Sequence, residues 1–513
     1  MNGAELLIKA AVEADIEYCF ANPGTTEMPL VAAMESEPRF RPVLTMFEGV
    51  CTGAADGYGR VTGRPAMTLT HLGPGFANGI ANLHNARRAN TPIVNVVGDH
   101  ASWHVNYDPP LASDIHSLAN PVSKWVRTSK TAESVAADFV DAVNAAWQPF
   151  GAISTLVLPM DLQAKPIENP LAAGHVNAPV RRFFSDGVDA VAKKIKAGKR
   201  LVFIVGDNGV TEAGLRAAGR LAQLPNVKMF AETFPRISHR GGGLPDLDRL
   251  PYFPEVAIKE LDQYDEVVCA GVPEPISYFG YEGLPSRLAE QDRLVVLAEV
   301  GHDVVGAMEA LADAVSAPAF VELQGELVMP DADAELTPQS IGQVVSAGLP
   351  HDCIVSVEGG TCGYPFFTAS AHAVKHRVIT NTGGAIGQGI PAGFGAALAE
   401  RGNTVICLQS DGSAQYTIQT LWSIARENLP VVILIAANHR YGILQNELRR
   451  YGVTEFGPQS LSLTELDKPK VDWQSLAKAY GVDSTAVKTN AELARAMKTG
   501  TGSKAPFLIE MCL

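Results

Sequence analysis

Short apolar runs recur along the chain, each ending in turn residues and followed by a helix-length stretch of mixed polarity. Segments 92–98, 154–159, 201–206, 266–271, 404–408 and 430–435 are rich in Val, Ile and Leu with little alternation. That pattern predicts parallel strands covered on both faces. Between them, 133–148, 214–224 and 413–427 read as helices. Strands alternating with helices predict the α/β class, with consecutive doubly wound parallel-sheet domains.

Two breaks divide the pattern. Segment 163–179 carries Pro166, Pro170 and Pro179, and a new helix is expected over 186–199 before the strand at Leu201. Segment 327–338 is acidic and proline-flanked, and ends in Thr337-Pro338-Gln339-Ser340, a helix-start signature. The expected domains are 1–165, 180–328 and 337–513, in keeping with about three domains for a chain of 513 residues. With 46% hydrophobic residues, disorder is excluded as a global description. A net charge of −14 argues against a nucleic-acid or anionic-membrane surface, while leaving local anion binding open.

Met1-Asn2-Gly3-Ala4-Glu5 has no basic or apolar leader character, and the longest apolar run, 431–437, falls far short of a bilayer span. The seven cysteines are scattered without a Cys-x-x-Cys spacing, as expected of reduced thiols in a cytoplasmic protein.

The most informative segment is Gln409-Ser410-Asp411-Gly412-Ser413, followed 27 residues after Asp411 by Asn438. Both Asp411 and Asn438 fall just past expected strands, and parallel strands present their C-terminal ends on one edge, where ligands of open α/β sheets bind. An isolated Asp-Gly-Ser is an ordinary N-cap turn. Oxygen side chains on neighbouring strand ends can instead share a hard cation, while the helix start at Gly412-Ser413 offers N–H groups to phosphate.

With that spacing, and with Leu421-Trp422, Asn428-Leu429-Pro430 and Tyr441-Gly442, the segment resembles the diphosphate–metal motif of thiamine-diphosphate-dependent enzymes. The branch it looks like is that of acetolactate synthase and benzoylformate decarboxylase. Ser410 stands where that motif usually has Gly. The resemblance implies a Mg²⁺ held by Asp411, Asn438 and the carbonyl of Arg440. It further implies diphosphate contacts from Gly412, Ser413, Asn438, Tyr441 and the hydroxyl of Thr361, in Glu358-Gly359-Gly360-Thr361-Cys362.

Two further matches support it. The run from Met46-Phe47-Glu48-Gly49 to Gly57-Tyr58-Gly59-Arg60 resembles the segment around the family's cofactor-activating glutamate, which falls on Glu48. Phe47, Val50 and Cys51 would desolvate that carboxyl, so it can exchange a proton with a ring nitrogen. By the resemblance, this exchange drives removal of the thiazolium C2 proton; the remaining organic chemistry is the cofactor's. The loop Thr382-Gly383-Gly384-Ala385-Ile386-Gly387 resembles the one supporting the bent cofactor, with the Gly384 carbonyl on the aminopyrimidine and Ile386 wedged between the rings. Asn22–Glu27 and 71–75 match the flanking loops of the pyrimidine domain. The family arrangement implies a homodimer or homotetramer, with cofactor between subunits.

Substrate choice is less legible. His71 matches an active-site histidine of benzoylformate decarboxylase, suited to moving protons at the reacting carbon, and Thr25 matches that enzyme's pocket serine. The second histidine of that enzyme has no counterpart in 276–281. Phe47-Glu48-Gly49-Val50, 71–75 and 83–88 resemble short acetolactate synthase large subunits, yet the chain is shorter than established acetolactate synthases and its middle domain lacks the flavin-binding pattern of those enzymes. Of His84, His100, His104 and His116, only His100 and His104 are expected at a pocket rim. The expected activity is acetolactate synthase-like: cleavage or formation of the C–C bond beside the carbonyl of a small 2-oxo acid. Benzoylformate decarboxylase-like decarboxylation is the alternative, and a catalytically idle regulatory paralogue is the alternative of another class. A nucleotide-dependent dehydrogenase would need a Gly-x-Gly-x-x-Gly turn, which 205–210 lacks.

Overall fold

The computed structural model describes residues 1–513, and the mixed α/β class with parallel sheets is what it shows. The chain divides into two compact units, one of residues 1–178, 328–369 and 381–513, the other of residues 179–327 and 370–380.

The first unit contains two sheets. One has six strands in the order Arg41–Leu44, Tyr18–Asn22, Ala66–His71, Ile93–Asp99, Ile153–Pro159, Trp125–Thr128, every neighbouring pair parallel. Helices Gly3–Glu13 and Val135–Trp147 cover one face, with Leu7, Ile8, Phe139 and Val143 buried among Leu69, Val96 and Leu156. Helices Glu48–Thr62 and Leu72–Arg88 also pack on this sheet. The strands that this unit contributes to the second sheet run Asp483–Val487, Phe507–Cys512, Val431–Ala437, Val405–Ser410, Ile354–Glu358, and these five are parallel; in the other unit Ser238–Arg240 pairs antiparallel with His376–Thr380. In the other unit, five parallel strands lie in the order Asp248–Arg249, Val227–Ala231, Leu201–Val205, Glu266–Ala270, Leu294–Ala298. No helix is long and apolar enough to cross a membrane.

The helix after the acidic break is Pro338–Ala347, opened by a reciprocal cap between Thr337 and Ser340, as the pattern predicts. Three expectations are corrected. The helix expected over 413–427 is two, Asp411–Ala414 and Thr420–Arg426. The Thr417 hydroxyl donates to the Gly387 carbonyl at 2.9 Å, and the Thr420 hydroxyl to the Thr417 carbonyl at 2.6 Å; such side-chain bonds compete with a continuous helix. Segment 71–75 is no loop, because Leu72, at φ 53°, absorbs the turn and starts helix Leu72–Arg88. Likewise Thr361 lies in the first turn of helix Gly360–Ala369.

Helices Glu48–Thr62 and Gly389–Ala399 meet at backbone distance. A Cβ on Gly57 would come within 1.9 Å of the Ala392 carbonyl oxygen, and one on Gly395 within 1.8 Å of the Ala54 carbonyl oxygen. Alanine favours a helix over glycine by about 1 kcal/mol, but backbone cannot yield as a flexible side chain does. Gly57→Ala and Gly395→Ala should each lower the unfolding free energy by about 1–3 kcal/mol in urea titrations. A stabilised variant would show that this contact is absent.

Candidate active site

Parallel pairing of Ser410 with Ala436, and of Glu358 with Gln409, brings three strand ends within two residues of one another at one edge of the C-terminal sheet. Asp411 follows the middle strand and is only 4% exposed. Its two carboxylate oxygens accept the backbone N–H of Gly412 at 2.8 Å and of His439 at 2.7 Å. His439 reaches back because it adopts φ 53°, in the left-handed region. Burial pushes the Asp411 carboxyl above its ordinary range, although both N–H bonds pull the other way.

Asn438 accepts from the Arg440 N–H at 3.1 Å and donates to the Thr361 hydroxyl oxygen at 3.2 Å, leaving the Thr361 proton to point elsewhere. The Ser413 hydroxyl bonds the Ser410 carbonyl at 3.0 Å. Tyr441 lies so close over Gly412 that a Cβ there would sit 2.4 Å from its ring. No group of three His, Cys, Asp or Glu side chains is placed to hold a metal alone. One desolvated carboxylate, one amide and the nearby Arg440 carbonyl do fit Mg²⁺, which takes few protein ligands and completes its shell with phosphate and water.

Beside this edge runs the loop 381–388. Gly384 has φ 80° with open space where a Cβ would be, and Ile386 is 36% exposed. Asn381 accepts the Gly384 N–H at 2.8 Å and donates to the Ala385 carbonyl at 2.8 Å. Asn85 also bonds Ala385, at its carbonyl (2.7 Å) and its N–H (3.1 Å), while His84 Nε2 lies 3.0 Å from the Gly383 carbonyl. None of these bonds uses the Gly384 carbonyl. His84, expected at the surface, is therefore a support of this loop.

Glu48 opens helix Glu48–Thr62 at 6% exposure, and its Oε2 accepts from Asn78 Nδ2 at 2.9 Å. A Cβ on Gly75 would lie 2.8 Å from Glu48 Oε1 and 3.3 Å from His71 Cβ, so the two candidate residues flank the same glycine. His71 ends its strand with Nδ1 2.8 Å from Oε2 of Glu27, a carboxylate with no exposed side-chain surface. The Thr26 hydroxyl and the Gly24 N–H, the latter at 2.7 Å, also donate to Glu27. A carboxylate at Nδ1 fixes the tautomer with the proton there and presents Nε2 outward. Thr25 is exposed, and it is Thr26, 3.3 Å from His71 Nδ1, that joins this cluster.

Sequence reasoning missed Glu27. Its loop was legible, but its burial depends on Gly98, where a Cβ would fall 1.7 Å from Glu27 Oε1. His100 and His104 pair with each other at 5.7 Å between ring centroids, next to the exposed Trp103 and Tyr107, and His116 bonds Thr128 at 2.8 Å.

In the 179–327 unit, strand order reverses between Leu201–Val205 and Glu266–Ala270, where a nucleotide would be expected. Asp207 sits at that point, paired with Arg181 at 2.6 and 3.0 Å and accepting the Gly301 N–H at 2.8 Å. Glu232 crowds Gly206, with Oε1 2.5 Å from a Cβ placed there. That point is therefore taken by the Asp207–Arg181 pair and the Glu232 carboxyl.

Comparison with known proteins agrees with this architecture. Residues 1–121 match the model of the thiamine pyrophosphate enzyme N-terminal TPP binding domain, and residues 362–511 that of the C-terminal TPP binding domain. The chain is 44% identical to the Mycobacterium tuberculosis protein named "Putative acetolactate synthase large subunit IlvX", across 100% of this chain and 99% of that one. It is 29% identical to benzoylformate decarboxylase of Pseudomonas aeruginosa, over 96% of this chain and 95% of that enzyme. The solved thiamine diphosphate-dependent 4-hydroxybenzoylformate decarboxylase of Rhodococcus jostii shares the fold, with a TM-score of 0.83 at 24% identity, covering 100% of this chain and 99% of the other. The chain belongs to the thiamine-diphosphate-dependent enzymes, in the acetolactate synthase and benzoylformate decarboxylase branch.

The Glu27 geometry is testable without substrate. In ¹⁵N-histidine NMR, His71 should be the Nδ1–H tautomer, and Glu27→Gln should shift it toward Nε2–H, since an amide can donate as well as accept. An unchanged tautomer would show that Glu27 does not orient the ring.

Proposed function

We propose that the protein is a Mg²⁺-dependent lyase or carboligase acting beside the carbonyl of a small 2-oxo acid, acetolactate synthase-like in outcome. The observation that carries the reading is the buried Asp411 carboxylate, level with Asn438 and Thr361 at the strand ends. It is supported by a second buried carboxylate, Glu48, at a helix start. When bound, thiamine diphosphate supplies the nucleophilic carbon and the electron sink for breaking or making the C–C bond.

The protein's part is binding, orientation and proton handling. Asp411, Asn438 and the Arg440 carbonyl hold Mg²⁺, and Thr361 and the helix start at Gly412 and Ser413 receive the diphosphate, with Tyr441 packed over Gly412. Gly384 offers its carbonyl and Ile386 its side chain to the rings. Glu48, oriented by Asn78, exchanges a proton with the pyrimidine ring. His71, held by Glu27, presents Nε2 for proton transfer at the reacting carbon, and exposed Thr25 lines the approach. That His71–Glu27 pair favours, as a second reading, a benzoylformate decarboxylase-like release of aldehyde, since the reacting carbon must gain a proton before an aldehyde can leave. We further propose a cytoplasmic homodimer or homotetramer, for which exposed Met46, Ile386, Tyr416, Ile443 and Leu444 provide apolar surface.

The test is an NMR survey of products from purified protein with thiamine diphosphate, Mg²⁺ and a panel of 2-oxo acids. A 2-hydroxy ketone or branched 2-hydroxy acid supports carboligation, and an aldehyde supports the second reading. If no 2-oxo acid is consumed, the idle-paralogue reading takes over.

Removing the Asp411 carboxylate leaves phosphate charge without its main counter-ion. Asp411→Ala should weaken thiamine diphosphate at least roughly 100-fold in a Mg²⁺-dependent titration. Unchanged affinity would remove Asp411 from the site.

Glu48→Gln keeps a hydrogen bond and loses proton exchange. Cofactor binding and folding should survive, because a neutral amide is easier to bury than a carboxylate. C2 deuterium exchange of bound cofactor should slow by at least roughly 100-fold. His71→Ala should leave C2 exchange near normal while product formation falls. Wild-type exchange in Glu48→Gln would refute the catalytic assignment of the N-terminal sheet.

A further inference from the structure

Glu358 is a buried carboxylate that the mechanism above does not use. It ends strand Ile354–Glu358 at 3% exposure. It accepts four hydrogen bonds from one loop. Oε1 takes the N–H of Gly387 at 2.8 Å, the N–H of Gln388 at 3.3 Å and Nδ2 of Asn381 at 3.1 Å, while Oε2 takes the N–H of Gly389 at 2.8 Å. Burial pushes its carboxyl up from the ordinary range, and all four donors oppose that shift.

The placement matters more than the count of donors. Glu358 lies three residues before Thr361, the candidate diphosphate contact, while its partners span the loop bearing Gly384 and Ile386. Gly387, at φ 94°, is wedged so that a Cβ would fall 2.6 Å from Tyr416 Cβ, and the Ser356 hydroxyl holds the Gly389 carbonyl at 2.7 Å. One side chain thus fixes the ring-support loop relative to the strand ends that receive phosphate.

We infer that Glu358 is a positioning residue that sets the spacing between the ring-support loop 381–389 and the diphosphate edge, making the site selective for the whole cofactor over diphosphate alone. The inference rests on the proposed role of Gly384 and Ile386 at the cofactor rings. Only an acceptor at both oxygens satisfies the arrangement. In Glu358→Gln the amide NH₂ must face at least one backbone N–H, donor against donor.

The test compares binding of thiamine diphosphate and of inorganic pyrophosphate, each with Mg²⁺, to the full-length wild-type and variant proteins by calorimetry. Glu358→Gln should weaken thiamine diphosphate by about 10- to 100-fold, the equilibrium equivalent of one buried donor left unpaired. Pyrophosphate affinity should change by less than about 3-fold, because its contacts lie on the strand-end side of the carboxylate. Asn381→Ala, which removes one donor to Glu358 and both Asn381 bonds to the loop, should show the same selectivity loss, and it decides the matter if Glu358→Gln fails to fold. Equal weakening of both ligands would reduce Glu358 to a structural role and overturn the inference. Retained selectivity in both variants would overturn it as well, leaving the loop's role intact. A wild-type protein that binds the two ligands equally would instead refute the ring-support role of the loop, and the inference with it.

Discussion

The register of the parallel C-terminal strands is the constraint on which the rest depends. Because Val405–Ser410 pairs in step with both neighbours, the strand ends at Glu358, Ser410 and Ala437 fall within two residues of one another. Just beyond, Asn438 bonds Thr361 and Asp411 accepts the N–H of His439, without any long side chain having to reach. A slip of one residue would exchange the side chains packed on the two covered faces of these strands, so the fitted packing on both sides enforces the alignment that the site uses.

Burying carboxylates at such an edge is costly unless each is satisfied, and the protein uses different solutions. Asp411 has two backbone N–H bonds and remains desolvated, which suits a group awaiting a cation. Glu358 has four donors and needs nothing more. Asp56 is paired with a fully buried Arg60 at 2.7 and 2.8 Å and also accepts from Thr91 and Gln388. Glu27 is shared among Gly24, Thr26 and His71. Unlike Asp411, the Glu358, Asp56 and Glu27 carboxylates are satisfied by protein donors alone.

The same loop joins several of these solutions. Gln388 donates to Asp56 through its side chain and to Glu358 through its backbone, and Arg60 reaches Thr382 at 3.0 Å. Helix Glu48–Thr62, which begins with one candidate catalytic carboxyl, is thereby tied to the loop that bears Gly384. The close approach of Gly57 to Ala392 and of Gly395 to Ala54 makes that tie short and stiff.

By itself the sequence determined the strand and helix alternation, the start of helix Pro338–Ala347, and the positions of Asp411, Asn438 and Glu48 at element ends. Those features are local: apolar runs, capping residues and turn residues act over a few positions. It also carried the family, because the spacing of Asp411 and Asn438 is set by one complete βαβ unit. Only the tertiary structure decided that Glu27 is buried against Gly98, that His84 supports the loop at Gly383, and that Asp207 and Arg181 fill the crevice of the other unit. It likewise decided the break at 415–419, where Thr417 turns to Gly387. Each of these joins residues far apart in the chain or depends on the absence of a Cβ at a contact, and no periodicity along the sequence records such a contact.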